Sequence, residues 1–183
     1  MNETLKTISE RYSCRDFADT PLTDAQIKTL TDAALASPSA MNRQPWHVIM
    51  IADKTLIDEL DDEGMRILSA AEDKASYDRI RTRGGKLFYN APFMMMVASD
   101  GSDYALMDCG ILSENVSLAA HSIGLGSVIC GMARIPLAGP RGDEFKRRMH
   151  FPDGYAFGIA ILVGTALSGK EPHELDMGKV TFI

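Results

Sequence analysis

The stretch that most limits what this chain can fold into is Tyr104–Ile123, which reads as a long helix that is apolar on nearly every side. Ala105, Leu106, Cys109, Ile111, Leu112, Val116, Leu118, Ala119, Ala120 and Ile123 leave only Asp108, Glu114 and His121 as clear polar exceptions. A helix without a polar face cannot lie against solvent, so it must run through the centre or be shared between a core and a subunit interface. His121 reads as a satisfied core or last-turn histidine. Just ahead, Phe93–Ser99 is an unbroken apolar run ending in Ser and Asp, the pattern of a strand covered on both faces. Met94, Met95 and Met96 read as adaptable core filler.

The other elements arrange themselves around this pair. Asn2 is placed to cap a first helix with Leu5, Ile8 and Tyr12 at helical spacing. Thr23 and Gln26 can form a capping box, with Leu22 and Ile27 at the staple positions. The buried stripe of that second helix is expected at Ile27, Leu30, Ala34 and Leu35, and Pro38 stops it. A strand is expected at His47–Ala52, followed by a helix capped by Asp53 and carrying Leu56, Ile57 and Leu60. Asp61–Arg83 is charged and weakly periodic, and reads as a mobile lid over a site until Gly84-Gly85 breaks it. Gly124 supplies a left-handed cap before a short strand at Ser127–Ile129. Glycine and proline punctuate Gly131–Gly142, Glu144–His150 forms a short basic helix, and Ala156–Ala166 is the strongest strand. Lys179–Ile183 looks like a terminal strand without a hairpin partner. Strands separated by helices without a regular repeat give an α+β or α/β layered fold, in one domain over residues 1–183.

Several functions are disfavoured early. A net charge of −6 over 183 residues argues against a general nucleic-acid surface. Cys14, Cys109 and Cys130 show no CxxC spacing, and His47, His121, His150 and His173 form no HExxH, so neither a disulfide framework nor a metal site is expected. No apolar run is long enough to span a bilayer and no secretory leader is evident, so a cytoplasmic protein is expected. Gly124-Leu125-Gly126 ends a helix rather than opening one, so a Rossmann site is not supported, and the P-loop pattern is absent.

One segment does point to a ligand. In Glu10-Arg11-Tyr12-Ser13-Cys14-Arg15-Asp16-Phe17, an extended backbone would put Arg11, Ser13 and Arg15 on one side and Tyr12 and Cys14 on the other. Two guanidinium forks flanking a hydroxyl suit a phosphate. The competing reading is surface pairing of Arg11 and Arg15 with Glu10, Asp16 or Asp19.

Arg11–Phe17 and Ser37-Pro38-Ser39-Ala40-Met41-Asn42-Arg43-Gln44-Pro45-Trp46 together resemble the two leading signatures of the FMN-dependent nitroreductase family. Ala91-Pro92, Asp108-Cys109-Gly110, His121–Ser127, Phe151–Tyr155 and Gly164 agree with it in order along the chain. The resemblance implies a mixed, mainly antiparallel central sheet flanked by helices, with the long central helix at a homodimer interface. It also implies that Arg11, Ser13 and Arg15 hold the FMN phosphate and ribityl chain, with Tyr12 contributing backbone. Pro38, Ser39, Ala40 and Asn42 would reach the flavin from the partner subunit, with Gln44 as a neighbour. Ile129, Cys130, Gly131 and Met132 would run along the ring, the Gly131 N–H near N5. Many family members carry Glu where Cys130 stands. Read as a nucleophile, Cys130 has no His or acid placed by sequence to activate it. Larger relatives use a basic pair near the C-terminus, for which Lys179 is the better candidate here and Lys170 the other.

The expected activity is therefore NAD(P)H oxidation coupled through FMN to a small electron acceptor such as a nitroaromatic or quinone. The mechanism is expected to be ping-pong, with no catalytic side chain. The alternatives are a dehalogenating or flavin-cleaving enzyme of the same superfamily, a non-catalytic flavin-binding sensor, or a dimeric interaction module without flavin. Colour, NAD(P)H oxidation with a quinone, and product analysis separate them.

Overall fold

Two hydrophobic cores, one on each face of a single antiparallel sheet, account for most of the architecture. The computed structural model describes residues 2–171 and 174–183, so His173 lies outside the described residues. The elements are α1 (Glu3–Glu10), α2 (Asp24–Leu35), β1 (Trp46–Ile51), α3 (Lys54–Ala70), α4 (Ala75–Arg81) and β2 (Phe93–Ser99). They continue with α5 (Ala105–Ser122), β3 (Gly126–Ile129), α6 (Arg134–Ala138), α7 (Gly142–Arg148) and β4 (Ala156–Gly164). The four strands pair antiparallel in the order β1-β2-β4-β3. This is the α+β architecture anticipated, with a wholly antiparallel strand ladder.

All of β2 is buried. Successive side chains of a strand point to opposite faces, so its methionines divide between the two cores. Met95, with Phe93 and Val97, packs on the side of α2 and α5, against Leu30, Leu112 and Val116. Met94 and Met96 pack on the other side with Leu60, Leu137 and Phe145, from α3, α6 and α7. Between β2 and β4 the register slips at Val97/Ala98, which leaves Gly158 as the extra residue of a bulge. A Cβ on Gly158 would sit 2.9 Å from the Val97 carbonyl oxygen and 3.1 Å from Cys109 Sγ, so a side chain there has no room.

The helix starts follow the expected chemistry. Asn2 Oδ1 accepts the Leu5 N–H, and Asp53 Oδ1 accepts those of Thr55 and Leu56. Both halves of the Thr23–Gln26 capping box are formed. Beyond α5, Gly124 at φ 77° lets Leu125 N–H return to the Ala120 carbonyl.

Several expectations are corrected. Asp61–Arg83 is not one mobile lid, because α3 continues through its first half and buries Asp61, Glu63 and Gly64. Asp61 accepts the Leu87 and Phe88 N–H groups at 3.2 and 2.7 Å, clamping the chain ahead of Tyr89 and Asn90, both at positive φ. Only α4 stands over open space. Leu35 is exposed rather than part of its stripe, and Leu5 and Ile8 are exposed on α1. Lys179–Ile183 forms no strand within the protomer, where Met177–Lys179 make a 3-10 turn and Phe182 and Ile183 lie in solvent. A helix, α6, sits inside the Gly/Pro-rich stretch, with Pro136 in its first turn, where the missing N–H costs nothing. Glu59 joins α3 to α7 through Arg141 and Arg148.

Removing the Asp61 carboxylate strands two buried amides, and each unsatisfied buried group costs on the order of 1–3 kcal/mol. Asp61→Ala is therefore expected to lower unfolding stability by about 3 kcal/mol in urea titrations.

Candidate active site

The candidate site begins at the β3 edge of the sheet. There the Arg11–Phe17 segment runs extended, with Ser13 bridging Ser127 in parallel and Phe17 bridging Ala166 antiparallel. Cys14 N–H donates to the Ser127 carbonyl at 2.8 Å, and Ala18 N–H to that of Thr165 at 2.9 Å. Cys14 is buried in the core and Tyr12 packs against it, so Arg11, Ser13 and Arg15 take the opposite side, as alternation requires. The close approach depends on Gly126, where a Cβ would lie 2.8 Å from both Cys14 Cβ and Sγ. Burial pushes the Cys14 thiol and the Tyr12 hydroxyl above their ordinary pKa values. Tyr12 Oη donates to the Ser168 carbonyl at 2.8 Å.

Neither arginine pairs with Glu10, Asp16 or Asp19. Arg11 Nε lies 3.2 Å from Glu114 Oε1 on α5, yet out of line for a hydrogen bond, so this buried donor has no hydrogen-bond partner. Arg15 is exposed, and among the described residues no carboxylate lies within ion-pair distance of it. Its guanidinium reaches only the Ser13 carbonyl, at 3.5 Å.

The loop after α2 is held under backbone strain. Met41, Asn42 and Gln44 all have positive φ, at 53°, 53° and 48°, without being glycine. Asp108, buried in the first turn of α5, accepts the Ala40 N–H with both carboxylate oxygens, at 3.2 and 3.3 Å. Ser39 Oγ accepts the Gln44 N–H at 2.9 Å, and Gln44 Nε2 donates to Asn42 Oδ1 at 3.1 Å. Asn115 Nδ2 donates to Ser37 Oγ at 3.0 Å. Pro38, Met41, Asn42 and Gln44 are thus presented outward on a fixed scaffold.

At the end of β3, Ile129 is exposed and Cys130 is buried. Burial raises the Cys130 thiol above its ordinary value, and the buried Cys109 thiol is pushed up to about 11, so neither is an activated nucleophile. Gly131 has neither a positive φ nor a tight neighbour, since a Cβ there would meet only Ile159 Cδ1 at 3.9 Å. What a side chain would occupy is open space. That space is a cleft of about 630 Å3, with Gly131, Phe157, Gly158, Ile159 and Leu106 among its walls and Arg79 and Arg134 as its cations. A second hollow of about 240 Å3 adjoins it through Arg79 and Met132 and reaches Arg15, Arg83 and Tyr89.

Arg15 and Gly131, both expected at one site from the sequence, line adjoining hollows. Sequence reasoning missed Arg79, Arg83 and Arg134, which come from α4, the turn after it and the start of α6. The Ser39–Gln44 loop is fastened to α5 and lies outside both hollows of this protomer. Lys179 is exposed in the tail and lines neither hollow.

The Nitroreductase family model matches residues 8–165, a span that includes the arginine segment, the strained loop and the cleft. The chain belongs to the nitroreductase family. A protein of Archaeoglobus fulgidus, provisionally named an NADH dehydrogenase/NAD(P)H nitroreductase, is 30% identical over 96% of this chain and 92% of its own length. An FMN reductase (NADPH) of Bacillus subtilis is 27% identical over 94% of this chain and 70% of that protein. Among solved structures, a nitroreductase with bound FMN from Desulfitobacterium hafniense DCB-2 superposes with a TM-score of 0.97 at 47% identity. That match covers 100% of this chain and 99% of the other.

Losing the Asp108 carboxylate is expected to free the strained loop. Asp108→Ala should raise the rate of tryptic cleavage after Arg43 about tenfold, the equivalent of one lost charge-assisted hydrogen bond.

Proposed function

We propose that this protein is an NAD(P)H-dependent flavin oxidoreductase that holds FMN on the β3 edge and passes electrons to a nitroaromatic or quinone. The observation that carries this reading is the side of Arg11–Arg15 turned away from the core, with an unsatisfied buried Arg11 Nε beside an unpaired Arg15. Arg15 has no carboxylate within ion-pair distance among the described residues, and Arg11, though ion-paired with Glu114, leaves its buried Nε without a hydrogen bond; an anion would complete both. The donor set fits the phosphate of FMN. Arg11 and Arg15 would hold it with Ser13, and the Tyr12 backbone would fix their spacing.

The absent side chain at Gly131 supports the position of the ring system. A flat isoalloxazine can then lie close to Ile129, Cys130 and Gly131, with the Gly131 N–H available to N5. FMN supplies the two-electron chemistry when bound. The residues themselves bind, orient and exclude water, and none is needed as an acid or base. Taken over both half-reactions, NAD(P)H, a proton and a quinone give NAD(P)+ and a hydroquinone, with donor and acceptor using the cleft in turn.

The homodimer belongs to the same proposal. Met107 and Ile111, at 64% and 38% exposure, and Leu5 and Ile8 form apolar surface on α5 and α1 that a second copy would cover. Pro38, Ser39, Ala40, Asn42 and Gln44, held outward by Asp108, are then available to the partner's flavin. Lys179 would meet a phosphate only if the exposed tail, with Phe182 and Ile183, also docks on a partner. Among the described residues no helix is long and apolar enough to cross a membrane.

The gently purified protein should be yellow and should oxidise NADH or NADPH steadily when a quinone is supplied. Arg15→Gln should weaken FMN binding about 10- to 100-fold in fluorescence titrations, the loss expected for one charge-assisted phosphate contact. A colourless protein that neither binds added FMN nor oxidises NAD(P)H would overturn the proposal.

A further inference from the structure

Arg79, Arg83 and Arg134 are more positive charge than one phosphate requires. The chain carries 25 acidic and 19 basic residues, yet among the described residues none of these three arginines has a carboxylate within 4 Å. Some other arginines are committed. Arg66 holds Glu63, while Arg141 and Arg148 share Glu59 and Glu144. Arg43, Arg81 and Arg147, also without a carboxylate within 4 Å among the described residues, lie elsewhere, whereas Arg15, Arg79, Arg83 and Arg134 line the two adjoining hollows and no acidic residue lines either. In a molecule of net charge −6, this is a local reversal of sign at the mouth of the cleft.

The shape adds a second constraint. Phe157, Ile159 and Leu106 give the cleft apolar walls, and at Gly131 a Cβ would meet only Ile159 Cδ1, at 3.9 Å. With the flavin ring lying along Gly131 as proposed above, a cleft of about 630 Å3 leaves room for a second, small flat aromatic body over it. Arg79, on α4, and Arg134, at the start of α6, approach it from two separate elements. An apolar slot with guanidinium forks beside it recognises an aromatic ring bearing a carboxylate or a similar planar anion.

Resting on the oxidoreductase reading above, we propose that the electron acceptor taken by this enzyme is an anionic aromatic compound. Arg79 and Arg134 bind its anionic substituent, and Arg83 reinforces the positive field. The two arginines are specificity residues: they select the acceptor and take no part in electron transfer. For a nitro acceptor, reduced FMN gives up two electrons and two protons, the nitro group becomes nitroso, and one oxygen leaves as water.

The test uses the FMN-loaded enzyme, photoreduced without oxygen or nicotinamide and mixed with 4-nitrobenzoate or its neutral counterpart 4-nitrobenzamide. Flavin reoxidation is followed in a stopped-flow spectrometer. At low salt the benzoate is expected to react at least about tenfold faster at limiting concentration, the discrimination one charge-assisted contact supplies. Sodium chloride should erode that preference, and Arg79→Gln with Arg134→Gln should bring the ratio to about one. A wild-type ratio near one, or a ratio unchanged in the double variant, overturns the inference while leaving the oxidoreductase reading intact. Equal slowing of both acceptors together with loss of bound FMN also overturns it, because the arginines would then serve the flavin. An enzyme whose reduced flavin neither acceptor reoxidises refutes the oxidoreductase reading, and this inference with it.

Discussion

Burial of the sheet on both faces is the constraint from which the remaining geometry follows. With Phe93, Met95 and Val97 committed to one core and Met94 and Met96 to the other, β2 has no surface to offer a ligand. The open cleft lies instead where β3 ends and β4 begins. The Arg11–Phe17 segment pairs with the β3 edge, and Gly131 lies where that strand ends. A polar segment laid along an open edge also satisfies backbone groups that would otherwise invite pairing with another chain.

A different solution serves the loop after α2, which bonds to the first turn of α5 instead of the sheet. Three non-glycine residues at positive φ are costly, and they persist only where their surroundings leave no alternative. Asp108 provides part of that confinement. It is buried in the first turn of an 18-residue helix, where a carboxylate suits the helix dipole. α5 thus serves as a core wall, carries exposed apolar side chains at Leu106 and Met107, and mounts the strained loop.

Much of this was legible in the residues because local rules and tertiary structure agree. The caps at Asn2, Thr23 and Asp53, the buried run Phe93–Ser99 and the glycine stop at Gly124 follow from short-range chemistry, and the fold keeps them. The alternation of Arg11, Ser13 and Arg15 was readable for the same reason. The misreadings occurred where long-range contact decides the outcome. Asp61 looks like a surface charge in a charged stretch, and only Leu87 and Phe88, distant in sequence, make it a buried clamp. Pro136 reads as a loop signal until its first-turn position in α6 removes the penalty. Leu35, Leu5 and Ile8 obey helical periodicity, but one protomer supplies nothing to cover them. The cationic lining of the cleft was hidden because Arg134 belongs to a different element from Arg79 and Arg83.

The hydroxyl of Tyr12 reaches a carbonyl 156 positions further along the chain. This one bond closes nearly the whole polypeptide into a ring, and closing so long a loop costs little more entropy than closing one half its length. Its effect is mechanical. The two ends of the molecule are latched to each other, so fraying at either terminus loosens the stretch that carries Arg11, Ser13 and Arg15. Whatever steadies the tail therefore also steadies those side chains at the opposite end of the sequence.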